Sequence, residues 1–320
     1  MLLTFDEVCK KIAGGELLHI AGTEGLLRKL PTGNWIGGST EYFMADNGGK
    51  VSGDLLFVTE MPYNNFTIKS YAADSVQHVA NDAFDNGFSV IIVPFDSEIH
   101  KIYAQGAAEF ENMFMRNVVG WVAGVNLSVA GQVPISVNGK TGEVFSDKAV
   151  TLHVEVPDDK LVSIGIINIF EQDDTSPLIE FAEEGFAIKN CLVDGKEMLF
   201  SDFLRQNDIN TKMPLVGDYS GVGINVSFKA VEDGLVNLYA PVFKGIKYKM
   251  AKSISDYEEE FRARLESVDA SQKAFSCNCI LNFLYGELEG KRIKGFEGPI
   301  TFGEIAYQLV NQTLAYVAIS

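Results

Sequence analysis

The sequence predicts an α/β protein shading into α+β, in which two domains carry mixed, partly antiparallel sheets covered by helices. Three observations predict it. The chain has 320 residues, long enough for two cores of ordinary size. Residues 1–125 alternate strand-like and helix-like patterns, which is the mark of βαβ construction. From Pro134 onward short strands follow one another across turns, as in antiparallel hairpins. An acidic, turn-rich stretch, Glu171-Gln172-Asp173-Asp174-Thr175-Ser176-Pro177, separates the halves, so domains over residues 1–180 and 181–320 are expected.

Each element has a local reason. Thr4 with Glu7 forms a capping-box pattern opening a short helix, and Gly14-Gly15 closes it. Leu17 to Ala21 reads as a strand, Gly22-Thr23-Glu24 as the start of another short helix, and Trp35 to Thr40 as a strand running into a glycine turn. Leu55 to Thr59 and Phe66 to Tyr71 are further strands. Between Asp74 and Gly87 the apolar Val76, Val79, Ala80, Ala83 and Phe84 fall at helical spacing, so a helix is expected there. Val90 to Val93 suits a strand buried on both faces. A helix beginning near Ser97 and the glycine-containing strand Val118 to Gly124 complete the first half.

In the second half, Pro134 to Val137, Ala149 to Val156 and Leu161 to Phe170 read as strands, with Asn138-Gly139 as a hairpin turn. The alternation in Ala149 to Val156 places His153 on the wetter face. Phe186 to Val193, Val222 to Val231, Leu235 to Pro241 and Gly245 to Met250 are strands, with a helix through Met198 to Arg205. A helix capped near Ser255 buries Tyr257, Phe261, Leu265 and Val268 and leads into Ala274 to Asn282, a strand with Cys277 and Cys279 on one face.

Composition narrows the function classes. With 43 Asp and Glu against 26 Lys and Arg the net charge is −17, so neither nucleic acid nor an anionic membrane surface is an expected partner. The amino-terminal residues lack the basic and long apolar regions of a signal peptide, and apolar runs are too short to span a bilayer. A cytoplasmic location is expected. The four cysteines lack the additional His or Cys pair that a closed zinc site needs. Gly217 to Gly223 lacks the spacing of a phosphate loop, and no histidine is set near a nucleophile in sequence. A non-enzymatic protein without metal or cofactor is the expectation.

The end of the chain carries the most informative pattern: Cys279-Ile280-Leu281, then Phe302-Gly303-Glu304-Ile305, then Asn311-Gln312-Thr313-Leu314. These segments resemble the C-terminal part of FIST domains, sensory modules of bacterial signalling proteins. Asn190 to Lys196 and Gly245 to Met250 resemble earlier parts of the same domain, and Gly37-Gly38-Ser39 and Val119 to Gly124 the glycine-rich strand ends of its N-terminal partner. The sequence departs from the pattern at Asn282, where the family usually has arginine. The resemblance implies binding of a small polar metabolite such as an amino acid, with output through a signalling protein partner. A structural or interaction module without a small ligand is the alternative.

Local pattern and resemblance disagree at Glu304. Thr301 and Glu304 form a capping-box pattern that would open a helix, whereas the resemblance implies a strand end, a glycine turn and a final strand from Gln312 to Ile319. Following the resemblance, Cys279, Asn282, Glu304 and Asn311 are expected to converge on a polar pocket, since polar groups among apolar strands need partners. Gly38, Ser39, Gly120 and Gly303 are expected to bring backbone close to the ligand.

Overall fold

The computed structural model describes residues 1–266, 268, 272–293 and 295–320. The chain divides into two compact units that are discontinuous in sequence. The first comprises residues 1–167, 265–309 and 313–320, and the second residues 168–264 and 310–312. Strand outweighs helix, 41% against 17%, which sets the protein on the α+β side of its class. The C-terminal segment with the cysteine strand therefore packs with residues 1–167 rather than forming a domain with residues 181–264.

In the first unit three sheets enclose one core. The strands Leu18–Gly22 and Trp35–Ser39 run parallel, flanked by Leu56–Glu60 and the hairpin Ser136–Asn138 and Glu143–Phe145. A second sheet has the parallel pair Gly87–Pro94 and Val118–Ala123 at its centre. Ala149–Glu155 lies beside the first of these and Glu304–Ala306 beside the second. The third sheet joins Val162–Ile167, Leu314–Ile319, Lys273–Cys279, Gly298–Thr301 and the hairpin Tyr42–Ala45 and Gly48–Val51. Ile36, Ile92, Trp121, Leu152, Cys277 and Val317 meet in the shared core. The Phe5–Ala13 helix covers the outer face of the first sheet through Val8 and Ile12, packed with Leu18, Trp35 and Val58.

Several elements form for the reasons their sequences give. Glu7 Oε2 accepts from both Thr4 N and Thr4 Oγ1, so the capping box is real. Ser97 caps the Glu98–Gly106 helix through His100 N, and all eight residues of Gly87–Pro94 are buried. Asp256 Oδ1 accepts from Glu259 N at the start of Tyr257–Glu266, so Asp256 rather than Ser255 is the cap. Leu314–Ile319 lies between two neighbours in its sheet, as its unbroken apolar run requires.

Three expectations are corrected. The helix over Asp74 to Gly87 is replaced by a single 3₁₀ turn, Val76–His78. Its Asn and Asp side chains are recruited elsewhere: Asp82 accepts from Tyr71 and Asn86 donates to Val156 O and Pro157 O. Such residues compete with helix formation when tertiary partners are offered. His153 is fully buried rather than on a wet face, because Ala149–Glu155 is flanked by strands on both sides and covered on both faces. The cysteine strand stops at Cys279, and Ile280–Tyr285 is a short helix that carries Asn282.

The second unit is antiparallel throughout its assigned pairs. It has a six-stranded and a three-stranded sheet. Phe181, Phe200 and Tyr248 make edge-on ring contacts in its interior. Among the described residues, no helix of either unit is long and apolar enough to cross a membrane.

Candidate functional site

The parallel strands of the first sheet deliver Gly22 and Ser39 to the same edge, where Thr40 N donates to Gly22 O. Val118–Ala123 ends nearby at Gly124. Ser39 ties that residue down and closes a loop with four hydrogen bonds. Its hydroxyl donates to Gly124 O (2.8 Å) and accepts from Ile135 N (2.9 Å). Its backbone accepts from Gly124 N (2.8 Å) and donates to Ile135 O (3.0 Å). Residues 125–134 are thus a loop with both ends fixed on one serine. Glu41 and Tyr42 hold its body: Asn126 Nδ2 donates to Glu41 Oε2 (2.8 Å) and Leu127 N to the Tyr42 hydroxyl (3.0 Å).

Between this loop, Thr23 to Gly25 and Ser39 to Glu41 lies a cleft of about 250 Å³. It sits outside the carboxyl ends of parallel strands, the usual ligand position in such sheets, and its volume is near the lower end of small-molecule sites.

Behind the cleft a buried polar cluster is built on the C-terminal segment. Thr40 Oγ1 donates to Ile300 O (2.7 Å). The next residue, Thr301, holds Glu304 Oε1 (3.1 Å), and Thr313 donates to Glu304 Oε2 through its hydroxyl (2.8 Å) and its backbone N–H (3.3 Å). The Cys279 thiol also hydrogen-bonds this carboxyl. Asn282 Nδ2 donates to Thr313 O (3.0 Å) and Asn278 Oδ1 (2.8 Å). Glu304 is 0% exposed, and burial pushes its carboxyl up to about 8 despite these donors.

At neutral pH Glu304 is therefore mainly a neutral acid, and the geometry suits one. Its O–H donates to Thr301 Oγ1, whose own proton goes to Asn278 O (3.2 Å), while both Thr313 donors face the other oxygen. The same burial holds the Cys277 thiol well above its ordinary range, with Glu304 a smaller contribution.

Three of the expected residues, Cys279, Asn282 and Glu304, come together, but as a solid internal cluster that does not line the cleft. Ser39 lines the cleft and also staples its loop. Gly38 and Gly120 serve packing: a Cβ at Gly38 would meet Ile92 and Trp121 side chains at 2.6 and 2.7 Å, and one at Gly120 would meet Ile91 O at 1.9 Å. Gly303, at φ +152°, turns the chain from one sheet into the next, between Gly298–Thr301 and Glu304–Ala306. Asn311 belongs to the second unit, where its Oδ1 accepts from Ser227 N (3.0 Å) and Oγ (2.9 Å). Thr40 closes the glycine and hydroxyl strand end that the sequence marks, whereas Thr23, Glu41 and Gln132 carry no sequence signal for a site.

Two other features are chemically suggestive. Ser89 Oγ, His153, the Tyr71 hydroxyl and Asp82 form a chain with links of 2.8, 2.9 and 2.8 Å. Asp82 accepts from the tyrosine, so His153 donates from Nε2 and accepts at Nδ1, and burial lowers it to about 4. Ser89 and His153 are both 0% exposed, so the chain is closed to substrate. The second unit has a larger groove, about 590 Å³. Its amides are already engaged, Gln172 with Val216 O (2.8 Å) and Asn168 with Asn225 (3.0 and 2.9 Å).

Among the described residues, no group of three or more His, Cys, Asp or Glu side chains is arranged to hold a metal ion. A family model described as "Family of unknown function (DUF6976)" matches residues 3–320, so the chain belongs to that family. No curated protein and no solved structure matches the chain.

Proposed function

We propose that this member of DUF6976 is a sensory protein that binds a small polar metabolite, an amino acid or similar compound, and signals through a protein partner. The observation that carries the proposal is the cleft itself: three segments distant in sequence close around it at the carboxyl ends of parallel strands. The buried Glu304 cluster supports the reading. A carboxyl taken wholly out of water destabilises the fold when ionised, and it lies one hydrogen-bonded strand away from Thr40. Occupancy of the cleft would be felt at Thr40 and passed along Ile300 and Thr301.

Thermal denaturation against a panel of amino acids, amines and other polar metabolites tests the proposal. A ligand at a hundred times its dissociation constant stabilises the fold by about 2.7 kcal/mol. The shift should shrink in Thr40→Val. If no compound shifts the transition, the cleft is not a metabolite site. The exposed apolar side chains Leu127, Val129 and Val133 on the loop favour protein interaction as the second reading, supported if a protein partner binds and no metabolite does.

A further inference from the structure

We propose that the cleft selects a small ammonium cation, a primary or secondary amine without a carboxylate, with Glu41 as its counter-ion. This rests on the cleft being the site for a small polar metabolite and narrows that class to amines, leaving amino acids out. The argument is a census of donors and acceptors. The Ser39 hydroxyl donates to Gly124 O and accepts from Ile135 N, and the Thr40 hydroxyl donates to Ile300 O and accepts from Tyr42 N. The backbone N–H groups of Ser39, Thr40 and Gly124 go to Ile135 O, Gly22 O and Ser39 O. Each hydroxyl is left with no proton to give and one lone pair, so these groups have no donor to offer a ligand anion.

Charge points the same way. Glu24 and Glu41 line the cleft, and among the described residues no lysine or arginine does. Arg28 is paired to Glu24 at 2.7 Å and offsets its charge, so Glu41 is the carboxylate that makes the cleft anionic. Glu41 is half-buried, with Oε2 held by Asn126 and Oε1 by a long bond from Gln132 Nε2 (3.4 Å). A primary ammonium brings three donors, and a secondary one two, to that oxygen and its neighbours. The neutral Glu304 of the resting fold cannot play this part, since it is enclosed. A ligand carboxylate would face the like charge of Glu41; the backbone N–H groups of Glu24 and Gly25 are where it would compete.

Calorimetric titration of the full chain at low ionic strength and pH 7.5 tests this with four probes of similar size: propylamine, propanol, alanine and propionate. The parent, Glu41→Gln and Gly25→Trp are compared. Gly25 is exposed and a Cβ there meets nothing within 4 Å, so Gly25→Trp fills the cleft mouth without disturbing the core. Propylamine should bind at least tenfold tighter than alanine, with propanol and propionate showing no heat of binding. Glu41→Gln should weaken propylamine at least tenfold, and Gly25→Trp should abolish it. If Glu41→Gln does not fold, the propylamine-to-propanol ratio in the parent decides alone. Alanine or propionate binding as tightly as propylamine, and lost in Gly25→Trp, overturns the ligand class while leaving the cleft as a metabolite site. No binding of any probe, or propylamine binding that survives Gly25→Trp, overturns both.

Discussion

Replacing Glu304 by glutamine should make the protein more stable at neutral pH, and the gain should vanish in acid. The folded-state carboxyl titrates at about 8 and its ordinary value is 4.5. Because the folded value is raised, the stabilising contribution of the neutral acid is full below 4.5 and is lost as pH rises toward 8. Linkage over that interval gives a loss of about 3 kcal/mol between pH 5 and pH 7.5. Glutamine has no such loss. Its carbonyl keeps both Thr313 donors, and its amide N–H replaces the acid O–H toward Thr301, which still donates to Asn278 O. Urea denaturation of parent and variant at pH 5 and pH 7.5 measures the difference, and titrating groups elsewhere cancel between the two curves. Parallel stability curves for the two proteins, or a variant less stable at pH 7.5, would show that Glu304 is ionised in the fold and refute the neutral-acid network.

Acid should also destabilise the protein through its buried histidines. Burial lowers His19 to about 3 and His153 to about 4 from 6.5, so their neutral forms stabilise fully above 6.5. That contribution falls by about 1.4 kcal/mol per pH unit per histidine below it, and His153→Gln should flatten the slope of urea-derived stability against pH by one such increment. Ser39→Ala removes the partner of Ile135 N and the donor to Gly124 O. A loss of about 2 kcal/mol with faster proteolytic cleavage within residues 125–134 is expected; unchanged cleavage would mean the loop is held otherwise. Gly120→Ala should abolish soluble expression, because the new carbon would overlap Ile91 O, whereas Gly25→Ala should change stability by less than about 1 kcal/mol. In the native state a thiol reagent should modify only Cys9, since Cys191, Cys277 and Cys279 are buried, with all four reacting after unfolding.

Local signals were readable wherever the chain satisfies itself. The Thr4 capping box, the Ser97 cap and the fully apolar 90–93 run form the expected elements because their partners lie within a few residues or because burial on both faces tolerates nothing else. The 74–87 segment shows where this stops. Its helical spacing is real, but Asp82 and Asn86 bind Tyr71, Val156 and Pro157, residues far away or later in the chain. His153 fails for a related reason: alternation predicts which side chains share a face, while neighbouring strands decide whether the opposite face is wet. The unit boundary was half legible, since residues 168–264 could be separated by their turns, but the return of residues 265–309 to the first unit is a long-range pairing of Lys273–Cys279 with Leu314–Ile319 and Gly298–Thr301.

The candidate site divides along the same line, and the division bears on mechanism. Polar residues set in apolar runs, Cys279, Asn282 and Glu304, stood out in sequence because burying them demands partners. That reasoning locates them correctly and misassigns their task, since partners supplied by Thr301 and Thr313 leave them enclosed. Residues that meet solvent in the cleft, Glu41 and Gln132, carry no such demand and leave no mark in composition. What joins the two sets is Thr40, whose hydroxyl holds the strand that ends on Thr301. A ligand drawing Thr40 toward the cleft would loosen Ile300 and with it the Thr301 hydroxyl, the group that accepts from Glu304 when it is a neutral acid. Thr40→Val cuts that link and leaves Glu304 its own hydrogen bonds, so the pH dependence of the parent should persist in the variant. The ligand-induced change in that dependence should disappear, and its persistence in Thr40→Val would separate the cleft from the buried acid.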